Sequence, residues 1–205
     1  MSRFTLFLVP LFAAIAAVAA ACGGADDSSF AYRGNGVQPP FEMPDAVLED
    51  TSGRLLDLRK ETAGFATLLY VGYTNCPDVC PTHFAAFTGA LKELDPAVRD
   101  RVKVVFISTD PERDTGPVLR RWLDAFDSRY IGLRTDTRAL AEFLASLSMP
   151  VSQHVEHGGG AYEVPHATFV IGFTKDGTGR LLYPDGTTTE DWKHDLPLLV
   201  REDWK

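Results

Sequence analysis

ATLLYVGYTNCPDVCPTHF, residues 66–84, holds the information from which the rest of the chain can be placed. Its first eight residues form a short apolar run rich in branched and aromatic side chains, the pattern of a strand buried on both faces. A helix is predicted from about Pro81 to Leu94, with Phe84, Phe87 and Leu91 spaced to share one face. Between strand and helix stand Cys76 and Cys80, four residues apart and flanked by Pro77 and Pro81. That spacing puts two sulfurs about one turn apart on the same side. Pro81 suits a first helical turn, and the free N–H groups of a helix start favour thiolate over thiol. A thiol of pKa about 8.5 costs roughly 2 kcal/mol to deprotonate at pH 7, so this help bears directly on metal uptake.

Working outward, strands and helices alternate. A hairpin is expected over FEMPDAVLEDTSGRLLDL, residues 41–58, turning at Ser52-Gly53. Further strands are expected at 102–109, 131–134, 167–174 and 180–183, the last two joined across Lys175-Asp176-Gly177. Further helices are expected at about 115–127, 137–148 and 189–202. This order gives an α/β fold: a mixed central sheet with helices on both faces and an N-terminal β-hairpin.

The 205 residues are 45% apolar and 23% charged, with a net charge of −8, as in an ordinary globular domain. An acidic chain without a Lys/Arg run has no electrostatic footprint for nucleic acid. It would also be repelled by an anionic membrane. The N-terminus offers another anchor. Residues 4–21 carry no charge, follow Arg3 and contain Pro10, which reads as a cleaved export signal. The run ends in Ala19-Ala20-Ala21-Cys22-Gly23-Gly24, which resembles the lipobox of bacterial lipoproteins, with Ala19 where Leu is preferred. The expected organisation is a signal peptide (1–21), a lipidated Cys22 with a flexible tether (22–39), and one domain (40–205). A secreted form cut after Ala21 and an uncleaved anchor are the alternatives. The expected location is extracytoplasmic, at the outer face of the cell membrane.

Two thiolates and one imidazole form a soft donor set. It suits Cu(I) as a trigonal ligand, and Cu(II) if an oxygen donor joins. Structural zinc normally takes four protein ligands, and the chain has no second cysteine pair. Of five histidines, His194 in the last helix and His83 just after Pro81 read as solvated, and His154 and His157 lie in a polar Gly-rich loop. His166 stands immediately before the strand at 167–174, where it can face the end of the strand at 66–73. Asp78 reads equally as a loop cap or a charge at the site. Asp110 reads first as a turn residue and second as an acid beside the site.

YVGYTNCPDVCPTHF, the downstream STDPERDT and the late His166 before a strand that closes in a KDG turn resemble the Sco/SenC family of copper-binding proteins, over roughly residues 41–205. The resemblance implies a thioredoxin-like fold with an inserted hairpin. It implies copper, Cu(I) or Cu(II), held by Cys76, Cys80 and His166. It implies a role in assembling the dinuclear copper site of cytochrome c oxidase, with the oxidase's copper-bearing subunit, another copper chaperone and a thiol reductant as partners. Family members often have Asp before the ligand histidine and Ser after it. Here Pro165 and Ala167 occupy those places, which leaves the orientation of His166 open and makes His154 or His157 a conceivable substitute.

Three functions compete on this reading. The first is copper delivery. The second is thiol–disulfide exchange, in which Cys76 and Cys80 act as a redox dithiol to reduce the recipient's copper-ligand cysteines. Peroxide reduction is weaker, because no Arg lies within the motif. A purely structural bridge is also weak, since a five-residue ring contributes only about 2 kcal/mol.

Overall fold

The computed structural model describes residues 32–151, 154–159 and 161–201. The expected export signal, Cys22 and the first part of the tether lie outside these residues. No helix among the described residues is long and apolar enough to cross a membrane.

The strands are β1 (Asn35–Glu42), β2 (Val47–Asp50), β3 (Leu55–Asp57), β4 (Ala66–Gly72), β5 (Val102–Ser108), β6 (Ile131–Arg134), β7 (Val155–Gly158), β8 (Ala161–Glu163), β9 (Phe169–Phe173) and β10 (Thr178–Pro184). The helices are α1 (Leu58–Thr62), α2 (Val79–Glu93), α3 (Pro96–Arg99), α4 (Gly116–Asp124), α5 (Thr137–Ser146) and α6 (Thr189–Arg201). Eight strands form one mixed sheet in the order β1-β10-β9-β4-β5-β6-β2-β3, and β7 and β8 form a separate hairpin. β4, β5 and β6 run parallel. β9 lies antiparallel on the other side of β4.

Residues two apart on a strand share a face, and the core divides accordingly. Leu68, Tyr70, Val104, Phe106, Val170, Leu181 and Tyr183 pack with Phe84 and Phe87 of α2, Leu119 and Leu123 of α4, and Trp192 and Leu196 of α6. Leu69, Val71, Val105, Ile107 and Ile171 pack on the opposite face with Leu140, Phe143 and Leu144 of α5. All seven residues of β4 are buried, as its unbroken apolar run requires. Each fully buried Leu or Val among them contributes about 1.5–3 kcal/mol.

Two boundaries in the N-terminal part of the domain differ from expectation. The tether expected through residue 39 gives way to β1 at Asn35, which pairs antiparallel with β10. Composition hid this strand, because GNGVQPP is poor in apolar residues and an edge strand need bury little. Its entry is fixed by the buried Asp195 carboxylate of α6, which accepts the N–H groups of Arg33 (3.0 Å) and Gly34 (2.9 Å). The expected hairpin at 41–58 is correspondingly shorter. Phe41 and Glu42 belong to β1, and the hairpin is β2 with β3 around a turn at residues 51–54.

Asp50 closes that turn. Its carboxylate accepts from the Ser52 hydroxyl (2.6 Å) and N–H (2.8 Å) and from Arg54. The Ser52 hydroxyl, followed by these other donors, holds the Asp50 pKa down at about 2, against the opposing effect of burial. A depressed carboxylate pKa gives stability that is present above the unfolded value near 3.9 and is lost as pH falls through the folded value. Asp50→Ala is therefore expected to cost about 1–2 kcal/mol in urea unfolding at pH 7, allowing for solvent near the turn. The gap from the unsubstituted protein should close as pH approaches 2.

Candidate metal centre

The site sits where β4 ends, beside the start of β9. After Gly72 the chain turns, with the Cys76 N–H donating to the Tyr73 carbonyl (3.2 Å). α2 then begins at Val79, two residues earlier than the sequence pattern suggested, so Cys80 lies in its first turn. The Cys80 N–H donates to Cys76 Sγ at 3.4 Å, the interaction expected of a sulfur at a helix start. Gly72 makes room for the second sulfur: a Cβ there would lie 2.8 Å from Cys80 Sγ. Both cysteines are reduced and buried. The Tyr70 hydroxyl donates to Cys80 Sγ at 3.6 Å.

His166 arrives from 86 positions downstream, with Nε2 3.4 Å from Cys80 Sγ. Its Nδ1 lies 2.8 Å from the Ala167 carbonyl oxygen. A carbonyl only accepts, so the proton sits on Nδ1 and the Nε2 lone pair faces the sulfurs. A backbone carbonyl thus does the orienting that a neighbouring carboxylate would otherwise do. Tyr70 and Tyr73 press their rings edge-on against the imidazole, with centroids 5.8 Å and 5.6 Å away.

The donor atoms of Cys76, Cys80 and His166 all lie within 4.8 Å of one another. They are the one such group of three among the described residues. The two sulfurs differ in charge. A hydrogen bond from Cys80, assisted by the backbone N–H groups of Cys80 and Asp78, pulls the Cys76 pKa down to about 3 despite burial. Burial, reinforced by the adjacent Cys76 thiolate, pushes Cys80 strongly up and keeps it a thiol. One anionic sulfur, one protonated sulfur and one imidazole lone pair suit capture of a soft cation.

The polar run after β5 holds this arrangement together. Asp114 is fully buried and accepts from the Thr74 N–H (3.0 Å), the Thr74 hydroxyl (2.5 Å) and the Ser108 hydroxyl (2.7 Å). It thereby fixes the loop two residues before Cys76. Burial raises its pKa, opposed by the same hydroxyls. Asp110 is a turn residue, its carbonyl accepting the Asp114 N–H at 2.9 Å. It also pairs with Arg113 and accepts the Tyr162 hydroxyl at 2.9 Å. Arg113 donates to the Tyr162 carbonyl at 3.0 Å and covers the Tyr162 ring at 3.5 Å. The β7–β8 hairpin, which leads to His166, is clasped to the domain by these contacts.

The other candidates separate cleanly. His154 stacks on Tyr162 and His157 pairs with Glu163 at 3.4 Å, so neither joins the group of three. Asp78 is exposed and heads α2 without a side-chain cap bond, although its carbonyl accepts from Thr82. His194 is exposed beside Asp195. His83 corrects the sequence reading. It is 2% exposed, with Nε2 3.1 Å from the Thr168 carbonyl oxygen. His83 stands four residues before Phe87 and so lies on the same helical stripe as Phe84, Phe87 and Leu91, and its polar ring just after Pro81 concealed that it belongs there. Tyr70, Asp114, Arg113 and Tyr162 were not singled out from the sequence. Of these, Asp114 carried a signal, as an acid in a polar run directly after a buried strand.

The family model described as SCO1/SenC matches residues 36–201. Among solved structures, the apo Sco1 protein from Thermus thermophilus is 32% identical, with a TM-score of 0.72 over 82% of this chain and 96% of that one. ScoI from Bradyrhizobium japonicum, solved with copper bound, is 30% identical, with a TM-score of 0.66 over 80% of this chain and 98% of that one. The mitochondrial SCO2 homolog of Bos taurus is 30% identical over 148 residues, 71% of this chain and 52% of that protein. The chain spans from about a third to about two thirds of the length of curated relatives it matches, 34% at the low end and 66% at the high end.

The charge asymmetry between the sulfurs is directly measurable. Iodoacetamide should modify Cys76 at a rate that is flat from about pH 5 to 8, since its thiolate is already complete. Cys80 should remain unmodified. Peptide mapping by mass spectrometry reads both, and a Cys76 rate that climbs tenfold per pH unit toward 8 would contradict the assignment.

Proposed function

Because the chain belongs to the SCO1/SenC family, we propose that it is an extracytoplasmic copper chaperone, held at the membrane by lipid on Cys22, which delivers copper to the dinuclear site of cytochrome c oxidase. The observation that carries this reading is the meeting of Cys76, Cys80 and His166 in one small volume. The copper-bound Bradyrhizobium relative supports the choice of metal, as does the softness of the donor set. The chain's acidity supports a lipid anchor over charge as the means of staying near an anionic membrane.

In this role Cys76 supplies the first donor, already deprotonated. The arriving copper ion compensates the charge of Cys80 as its thiol gives up a proton, and His166 Nε2 completes a trigonal set. The same three donors release copper to a recipient that offers more ligands. Outside the cell the dithiol will tend to oxidise, and a disulfide cannot take up the ion, so a thiol reductant is the expected helper.

The second reading is thiol–disulfide exchange with the recipient's cysteines, and the Cys76 thiolate favours it. Cys76 would attack the target disulfide, and Cys80 would then displace the target thiolate, leaving this pair oxidised and the target reduced. The resolving step suffers from the burial that keeps Cys80 protonated.

Copper titration of the purified, reduced protein separates the two. His166→Ala should weaken Cu(II) binding by at least about 100-fold, beyond the effect of losing an outer-shell partner, while leaving the thiol chemistry intact. Cys76→Ser and Cys80→Ser should each abolish both. Copper binding by His166→Ala equal to that of the unsubstituted protein, with rapid disulfide reduction, would hand the function to the second reading. The oxidised protein should take up no copper until reductant is added. Prompt uptake would count against the helper.

A further inference from the structure

We infer that His83 is a positioning residue, which places His166 opposite the sulfurs by clamping the Thr168 carbonyl to the helix that bears Cys80. The inference rests on the copper reading for its consequence, and on geometry alone for the clamp.

His83 stands one turn after Cys80 on α2 and is almost completely buried. Its Nε2 lies 3.1 Å from the Thr168 carbonyl oxygen. Since a carbonyl cannot donate, the ring must present Nε2–H. Thr168 is two residues beyond His166 and directly precedes β9. The β4–β9 register reaches only to Tyr70 opposite Val170, so the Thr168 carbonyl lies past the end of that ladder. The histidine on α2 takes the place a ladder partner would fill.

The segment carrying His166 is thereby held at two points. At its beginning, Arg113 and Asp110 grip Tyr162. At its end, His83 grips Thr168. The bond from His166 Nδ1 to Ala167 is local and travels with the segment, so it sets the tautomer but not the distance to sulfur. That distance depends on the two grips and on the packing of Tyr70, whose ring is 5.3 Å from His83 and 5.8 Å from His166, and of Tyr73, 5.6 Å from His166.

Releasing the His83 grip leaves the two sulfurs where they are and frees the imidazole. Cu(I) is tolerably served by two thiolates, whereas Cu(II) depends more on nitrogen and oxygen donors. His83→Phe keeps a flat ring against Tyr70 and deletes the donor. It should lower Cu(II) affinity by about 10–100-fold, the usual effect of losing a group that orients a ligand, with Cu(I) affinity nearly unchanged. His83→Gln, whose amide can donate to Thr168, should restore most of the loss. In the metal-free protein, hydrogen exchange over residues 164–168 should quicken in His83→Phe and recover in His83→Gln.

The outcomes separate cleanly. Equal loss of Cu(I) and Cu(II) affinity, or unchanged exchange over 164–168, would overturn the clamp. Absence of copper binding in the unsubstituted protein would overturn the copper reading and leave the exchange result to decide the clamp. Should His83→Phe not fold, nitrogen NMR of the His83 ring in the unsubstituted protein decides: Nε2–H supports the clamp and Nδ1–H refutes it.

Discussion

The antiparallel pairing of β9 against β4, with Tyr70 opposite Val170, is the constraint on which the rest of the structure depends. It brings the residues before β9 to the carboxyl end of β4, where the cysteine loop begins. A slip of one residue would turn every side chain of β9 to the other face, sending Ile171 and Phe173 into the core that Val170 occupies and Val170 into theirs, with a misfit of volume on both faces. The core therefore fixes the register. The register in turn brings an imidazole to sulfurs 86 positions away.

Around this register the structure divides its labour. The strand end and helix start place Cys76 and Cys80, and the helix start helps to make one of them a thiolate. Asp114 ties the loop before Cys76 to β5 through Thr74 and Ser108. Arg113 and Asp110 hold the hairpin on the other side. STDPERDT is thus the joint between the cysteine loop and the histidine segment, and the charges of Asp110, Arg113 and Asp114 are spent inside the molecule. A buried carboxylate with three donors is costly to disturb, which suits a joint that must keep three soft donors within reach.

Much of this was legible in the sequence, for identifiable reasons. β4 and β5 announce themselves because both faces are buried, and the parallel order follows from the helices between them. Cys76 and Cys80 stand out because proline, spacing and the strand-to-helix junction agree. His166 could be placed because it immediately precedes a buried strand. The missing carboxylate before it left its orientation open, and only coordinates show the Ala167 carbonyl serving instead. β1 was hidden because an edge strand with two prolines lacks the alternation that marks a strand. His83 was misread because a polar ring just after Pro81 suggests solvent, although its spacing to Phe87 and Leu91 places it on the buried stripe of α2. The grips on Tyr162 and Thr168 join residues 49 and 85 positions apart, and no local pattern records such contacts.

The central claim is that two sulfurs and one imidazole nitrogen from a single chain surround one copper ion. X-ray absorption at the copper edge of the loaded protein tests it most directly. The account predicts two sulfur scatterers and the outer-shell pattern of one imidazole around a lone copper. A shell without sulfur, or one of three or more sulfurs with a second copper nearby, would contradict it.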